Sequence, residues 1–137
     1  MQKKNILITG ATGLLGGNLC YLFNSKGFNV TGTINQQKLL IPDVRTINVQ
    51  ELDPANTEFE CIIHCAAMTN VDECERNPAE AYKVNVDFTE SLIDFANKNN
   101  ALFIHISTDA VYKDGPLLKD ENAPVEPLSI YAKTKLE

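Results

Sequence analysis

The chain has 137 residues, 44% of them hydrophobic and 22% charged, with 7 glycines, 6 prolines and 4 cysteines. That is the profile of one globular domain, and it excludes disorder, collagen and a disulfide scaffold. With 12 Lys plus Arg against 18 Asp plus Glu, the net charge of -6 leaves no basic surface for a nucleic acid or an anionic membrane.

Asn5 to Thr9 is expected to be a buried strand, because a short apolar run stops at Gly10 and gives way to helical spacing. The start Met1-Gln2-Lys3-Lys4 precedes it without a signal-peptide hydrophobic region, and no apolar run approaches the roughly 20 residues that cross a bilayer. The chain therefore reads as cytoplasmic. Leu14, Leu15, Leu19, Leu22 and Phe23 predict a helix from near Gly13, which Ser25-Lys26-Gly27 should stop. A second strand is expected over Phe28 to Ile34, a third over Val44 to Val49 and a fourth over Cys61 to Ala67. Only residues 50–60 join the third and fourth, close to the roughly 10–12 residue minimum for a parallel connection, so a helix there has one or two turns or is absent. Both faces of the fourth run are apolar, as in a central strand of a parallel sheet.

Asn77-Pro78-Ala79-Glu80 carries the marks of a helix start, with Asn77 as cap, proline at the first position and Glu80 able to reach back to free amides. Tyr82, Val86, Phe88, Leu92, Ile93, Phe95 and Ala96 form its apolar stripe until Asn97-Lys98-Asn99-Asn100 ends it. Ala101 to Ser107 is the fifth strand. Residues 108–128 read as a long functional loop, after which Ser129 caps a helix beginning at Ile130. Cys20, Cys61, Cys65 and Cys74 show no paired spacing and are expected to be reduced and mostly buried, with no metal site. His64 and His105 are expected to be packed or hydrogen-bonded core residues. The alternation of elements implies an α/β fold, a three-layer doubly wound parallel sheet of order 3-2-1-4-5, with residues 1–137 as one domain.

Three groups of residues carry chemistry. Gly10, Gly13 and Gly16 follow the first strand and open the first helix. Gly10 suits the tight turn, Gly13 the approach of backbone amides to a pyrophosphate, and Gly16 the packing of helix on sheet, with the positive helix end facing the anion. Tyr131 and Lys135 lie one helical turn apart on one face, and an ammonium beside a phenol favours the phenolate, as a proton donor and acceptor requires. Ser107-Thr108-Asp109 ends the fifth strand, where open α/β sheets bind ligands, although hydroxyls there also serve as turn caps.

Together with His64-Cys65-Ala66-Ala67-Met68-Thr69, Asn85-Val86-Asp87 and Ser107-Thr108-Asp109-Ala110-Val111-Tyr112, this set resembles the extended short-chain dehydrogenase/reductases over essentially the whole chain. The branch it most resembles is the dTDP-4-dehydrorhamnose reductases, and the regulatory subunit of methionine adenosyltransferase has a similar pattern. The resemblance implies NADPH-dependent hydride transfer to a dTDP-4-keto sugar. Tyr131 would be the acid/base, Lys135 would support it and hold the nicotinamide ribose, and Thr108 would hydrogen-bond the substrate oxygen. Gly10, Thr12, Gly13, Leu14, Leu15, Gly16, Asn35, Ala66, Ala67 and Asn85 would line the cofactor with Tyr131 and Lys135. After the second strand, Thr33-Ile34-Asn35-Gln36 offers no carboxylate to repel a 2′-phosphate, so NADP is expected over the alternative NAD. Near the end of the third strand, where the family usually has an acid for adenine, the chain has Gln50 and only later Asp53. A non-catalytic dinucleotide-binding regulator and a nucleotide-sugar epimerase or dehydratase are the alternative functions, and a homodimer is a possible assembly.

The chain stops at Leu136-Glu137, two residues past Lys135 and inside a helix, which reads as an N-terminal fragment truncated before the C-terminal substrate domain. On that reading the last helix, shorter than the roughly 12–15 residues that hold an isolated helix, frays unless packing rescues it. The fifth strand keeps an open edge, and reductase turnover of the chain alone is negligible.

Overall fold

The computed structural model describes residues 4–52, 58–115 and 118–137. They fall into two compact units, one of Met1–Ala66 with Glu90–Ile106 and the other of Ala67–Thr89 with Ser107–Glu137.

The first unit holds the sheet. Strands β1 (Asn5–Thr9), β2 (Asn29–Ile34), β3 (Arg45–Asn48), β4 (Cys61–His64) and β5 (Leu102–His105) are all parallel, in the order β3-β2-β1-β4-β5. This is the predicted order. On one face of the central strands Ile6, Ile8, Val30 and Ile63 close a core with Ala11 and with Cys20 of helix α1 (Leu14–Ser25). Leu7 and Ile62 alternate to the other face and are fully buried too, so both faces are covered and the continuous apolar runs are explained. The bend and α1 both pack on β2 where position 32 has no side chain: a Cβ on Gly32 would stand 2.6 Å from the Ala11 Cβ and 3.4 Å from the Cys20 Sγ of α1. The buried face of α1 is narrower than its sequence pattern implies. Gly16 and Cys20 are buried and Leu19 and Phe23 pack on the core, while Leu14, Leu15 and Leu22 are exposed. Gly27, at φ +86, ends the helix as predicted. A 3-10 turn, Val49–Glu51, follows β3, with the Asn48 side chain accepting from the Gln50 N–H at 3.0 Å. Residues 53–57 of the crossover, Asp53 included, lie outside the described residues. β3 and β5 are the edge strands, and Leu102 and Ile104 of β5 are exposed.

All four cysteines are free thiols. Burial, with the nearby Cys65 adding to it, pushes the Cys20 thiol up from 9.0 to about 11. The folded chain therefore keeps this proton to higher pH than the unfolded chain does. Cys20's contribution to stability is full below about 9 and drains as the pH climbs towards about 11. Urea unfolding across that range should show stability falling with pH, with a shallower slope in Cys20→Ala. An unchanged slope would contradict the assignment.

The second unit is built of short helices. α2 (Val71–Arg76) was not foreseen, yet its signals are in the sequence: the Asn70 side chain accepts from the Glu73 N–H at 3.0 Å, Asp72 and Glu73 stand in the first turn, and Arg76 in the last. α3 (Pro78–Tyr82), a π-helical segment (Lys83–Asp87) and α4 (Phe88–Asn99) replace the one long helix expected, with α4 crossing into the first unit. Asn77 does not cap α3 through its side chain. It ends α2, its N–H donating to the Glu73 carbonyl at 2.9 Å and its carboxamide to the Glu73 carboxylate, so the capping group is already engaged. Glu80 meets Lys83 at 3.7 Å instead of reaching back to the helix start. In the loop after β5, a 3-10 turn (Asp109–Val111), the antiparallel bridge Tyr112–Val125 and the bond from Lys113 N–H to the Pro124 carbonyl at 2.9 Å tie the two arms together. α5 (Ile130–Leu136) closes the chain.

Candidate functional site

In the first unit the candidate residues gather at the carboxyl ends of β1, β2 and β4. Gly10 takes φ +65, a conformation that favours glycine, and a Cβ there would lie 2.9 Å from the backbone of Ala66. Its N–H donates to the Thr33 hydroxyl at 3.2 Å, and the Ala11 N–H donates to the Thr33 carbonyl at 3.0 Å, which fixes the turn to β2. The Gly13 N–H returns to the Gly10 carbonyl at 2.9 Å. A Cβ on Gly16 would stand only 2.2 Å from that same carbonyl oxygen, so the first turn of α1 lies directly against the bend. Gly13 occupies the cap position of α1 with no side-chain cap, and no acidic residue stands in the first turn. The positive end of this helix thus carries neither a capping oxygen nor a carboxylate. Thr12 is half-buried, Leu14 and Leu15 are exposed, and Ala66 is half-buried against Gly10. Asn35 is exposed directly after β2, its carbonyl accepting from the Asn48 side chain at 3.4 Å.

In the second unit α5 presents Tyr131, half-buried, and Lys135, buried, one turn apart. The expected fraying is countered at three places. The Ser129 hydroxyl accepts from the Ala132 N–H at 3.1 Å, and the Glu75 carboxylate from the Ile130 N–H at 2.7 Å. Third, the Thr134 hydroxyl, which donates to the Tyr131 carbonyl at 2.9 Å, accepts from the Asn85 carboxamide at 2.9 Å. Asn85 also receives the Met68 N–H at 2.7 Å and donates to the Met68 carbonyl at 3.1 Å. It is 2% exposed and not a surface helix residue. The π-helical segment around it admits an extra residue per turn, a feature common at functional sites. Thr108 caps the 3-10 turn, its hydroxyl accepting from the Ala110 N–H at 3.3 Å, and α5 packs against that turn. Ala67 is half-buried in the segment after β4.

Sequence reasoning missed Thr33, Glu75 and Thr134. Each is a polar side chain whose partner is distant in sequence or on a neighbouring helix, and only the cap at Asn70, which founds the helix carrying Glu75, left a local signal. Among the described residues no group of three or more His, Cys, Asp or Glu is placed to hold a metal ion, and no helix is long and apolar enough to cross a membrane.

A family model described as the RmlD substrate binding domain matches residues 4–137. Methionine adenosyltransferase 2 subunit beta of Bos taurus is 34% identical across 100% of this chain and 42% of its own length. dTDP-4-dehydrorhamnose reductase of Aggregatibacter actinomycetemcomitans is 32% identical across 96% of this chain and 44% of its own. Among solved structures, UDP-glucose 4-epimerase from Brucella ovis in complex with NAD superposes with a TM-score of 0.86 at 26% identity, over 97% of this chain and 45% of that one. The chain spans less than half the length of these relatives.

Proposed function

We propose that this chain, which belongs to the RmlD substrate binding domain family of the extended short-chain dehydrogenase/reductases, is the nicotinamide-nucleotide-binding domain of an NADPH-dependent reductase of a dTDP-4-keto sugar. The observation that carries this reading is the Gly10–Gly16 bend, where backbone fills the space a Cβ would need and the start of α1 has neither a side-chain cap nor an acid in its first turn. That arrangement fits a diphosphate, which a helix end binds through N–H groups and its dipole. Leu14 and Leu15, exposed at this end, supply apolar surface beside it, with Thr12 and Ala66 adjoining.

The remaining roles follow the family pattern. A bound nicotinamide supplies the hydride. Tyr131 delivers the proton to the nascent alkoxide, and Lys135 holds the ribose. Thr108 orients the substrate oxygen, Ala67 leaves room at the end of β4, and Asn85 positions α5. Asn35, in place of a carboxylate after β2, admits a 2′-phosphate, so NADPH is the preferred nucleotide. The free cysteines accord with a reducing cytoplasm.

A second reading has its own support in the 34% identity to a methionine adenosyltransferase subunit: a regulator that keeps the nucleotide bend and acts by binding a partner. Calorimetric titration of the chain with NADPH and NADH tests what the two readings share, and the phosphorylated nucleotide is expected to bind more tightly. Absence of binding by both would overturn the nucleotide site, and tighter NADH would overturn the choice of NADPH. Oxidation of NADPH by dTDP-4-dehydrorhamnose in a protein that carries this domain and its substrate half separates reductase from regulator.

A further inference from the structure

A buried histidine with no part in the proposed reaction stands beside the nucleotide bend. His64 ends β4 and Thr9 ends β1, the two aligned in register and both at or below 1% exposure. The Thr9 hydroxyl oxygen lies 2.6 Å from His64 Nδ1 and accepts the N–H groups of Cys65 and Ala66, each at 3.1 Å. A hydroxyl has two lone pairs and one proton. The two amides occupy both lone pairs, so the proton goes to the ring and Nδ1 is an acceptor. His64 is therefore the neutral imidazole with its hydrogen on Nε2. A hydrogen on Nδ1 would meet an oxygen with no electron pair left to receive it.

The clamped peptides are the ones the bend rests on. A Cβ at Gly10 would stand 2.9 Å from Ala66 N and Cα and 3.1 Å from the Cys65 carbonyl carbon, so any movement of this segment alters the space available to the turn. A threonine hydroxyl rotates to suit its surroundings unless an acceptor fixes it. We propose that His64, in its neutral Nε2-protonated form, is a positioning residue for the nucleotide bend: it aims the Thr9 hydroxyl, which holds the Cys65–Ala66 segment against Gly10. The link to nucleotide affinity rests on the function proposed above, whereas the clamp and the tautomer do not. His105, on the adjacent strand with its ring centre 5.5 Å away, is the titratable neighbour across the sheet.

Long-range proton–nitrogen spectra of the chain near neutral pH are expected to show Nδ1 of His64 bare and Nε2 protonated. A hydrogen on Nδ1 overturns the proposal. Thr9→Val and His64→Leu should speed amide exchange at Cys65 and Ala66 and weaken NADPH by about tenfold, the effect of one net hydrogen bond. Thr9→Ser keeps the hydroxyl, and His64→Asn keeps an acceptor at the same reach. Both should preserve wild-type exchange and affinity. If His64→Leu exchanges and binds like His64→Asn, the proposal fails, and if it does not fold, the Thr9 pair draws the same distinction. If the wild-type chain binds neither NADPH nor NADH, the nucleotide reading fails, and the tautomer and the amide exchange still decide the clamp.

Discussion

Gly16→Ala is expected to abolish nicotinamide-nucleotide binding and to destabilise the chain by about 3 kcal/mol or more. The new methyl would lie 2.2 Å from the Gly10 carbonyl oxygen and 2.8 Å from its carbon, both backbone atoms of a bend already fixed to Thr33. Neither can swing aside as a flexible side chain could, so α1 lifts from the sheet or the bend opens. Gly27→Ala is the informative control. Position 27 has φ +86 with nothing within 4 Å of a Cβ, so alanine there suffers only left-handed strain, about 1–2 kcal/mol, and binding should persist. Urea unfolding with nucleotide titration of both variants separates lost stability from a lost site. If Gly16→Ala binds as the wild type does, the bend is not the diphosphate site.

Asn85→Leu should have the second largest effect, about 3 kcal/mol. Leucine matches the volume roughly but orphans the Met68 N–H, now bonded at 2.7 Å, and removes the bonds that the Met68 carbonyl and the Thr134 hydroxyl accept at 3.1 and 2.9 Å; an orphaned buried group costs about 1–3 kcal/mol and each lost bond about 0.5–1.5 kcal/mol. Thr134→Val should cost less, about 1–2 kcal/mol, because Asn85 keeps both bonds to Met68. The double variant should fall short of the sum, as expected for residues in one network. Amide exchange along Ile130–Leu136 should quicken in both single variants. Additive effects, or unchanged exchange in α5, would show that Asn85 does not hold this helix.

The strands were readable because each is an apolar run cut off by glycine or a polar cluster, and the buried alternation of Ile6, Leu7 and Ile8 needs no distant partner to be recognised. The glycine bend was readable for a related reason: a strand, a fixed spacing and a helix are all local in sequence. Leu14, Leu15 and Leu22 were misplaced in the packed stripe because periodicity counts apolar residues without knowing which of them meet the sheet. α2 escaped notice because six residues with only Val71 and Cys74 apolar show no period, although the cap at Asn70 marks its start. The polar clamps at Thr9, Asn85 and Thr134 were invisible for a deeper reason. A threonine or asparagine is buried only when a distant group completes its hydrogen bonds, and those partners lie 55, 17 and 49 positions away.

The two borders of the sheet differ in chemistry. β3 opens with the exposed Arg45, a charge that discourages another strand from adding there, whereas Leu102-Phe103-Ile104-His105 of β5 carries no acid, lysine or arginine. Among the described residues, charge therefore opposes an added strand beside β3, while the neighbour that β5 accepts is one that can cover an apolar, uncharged strand.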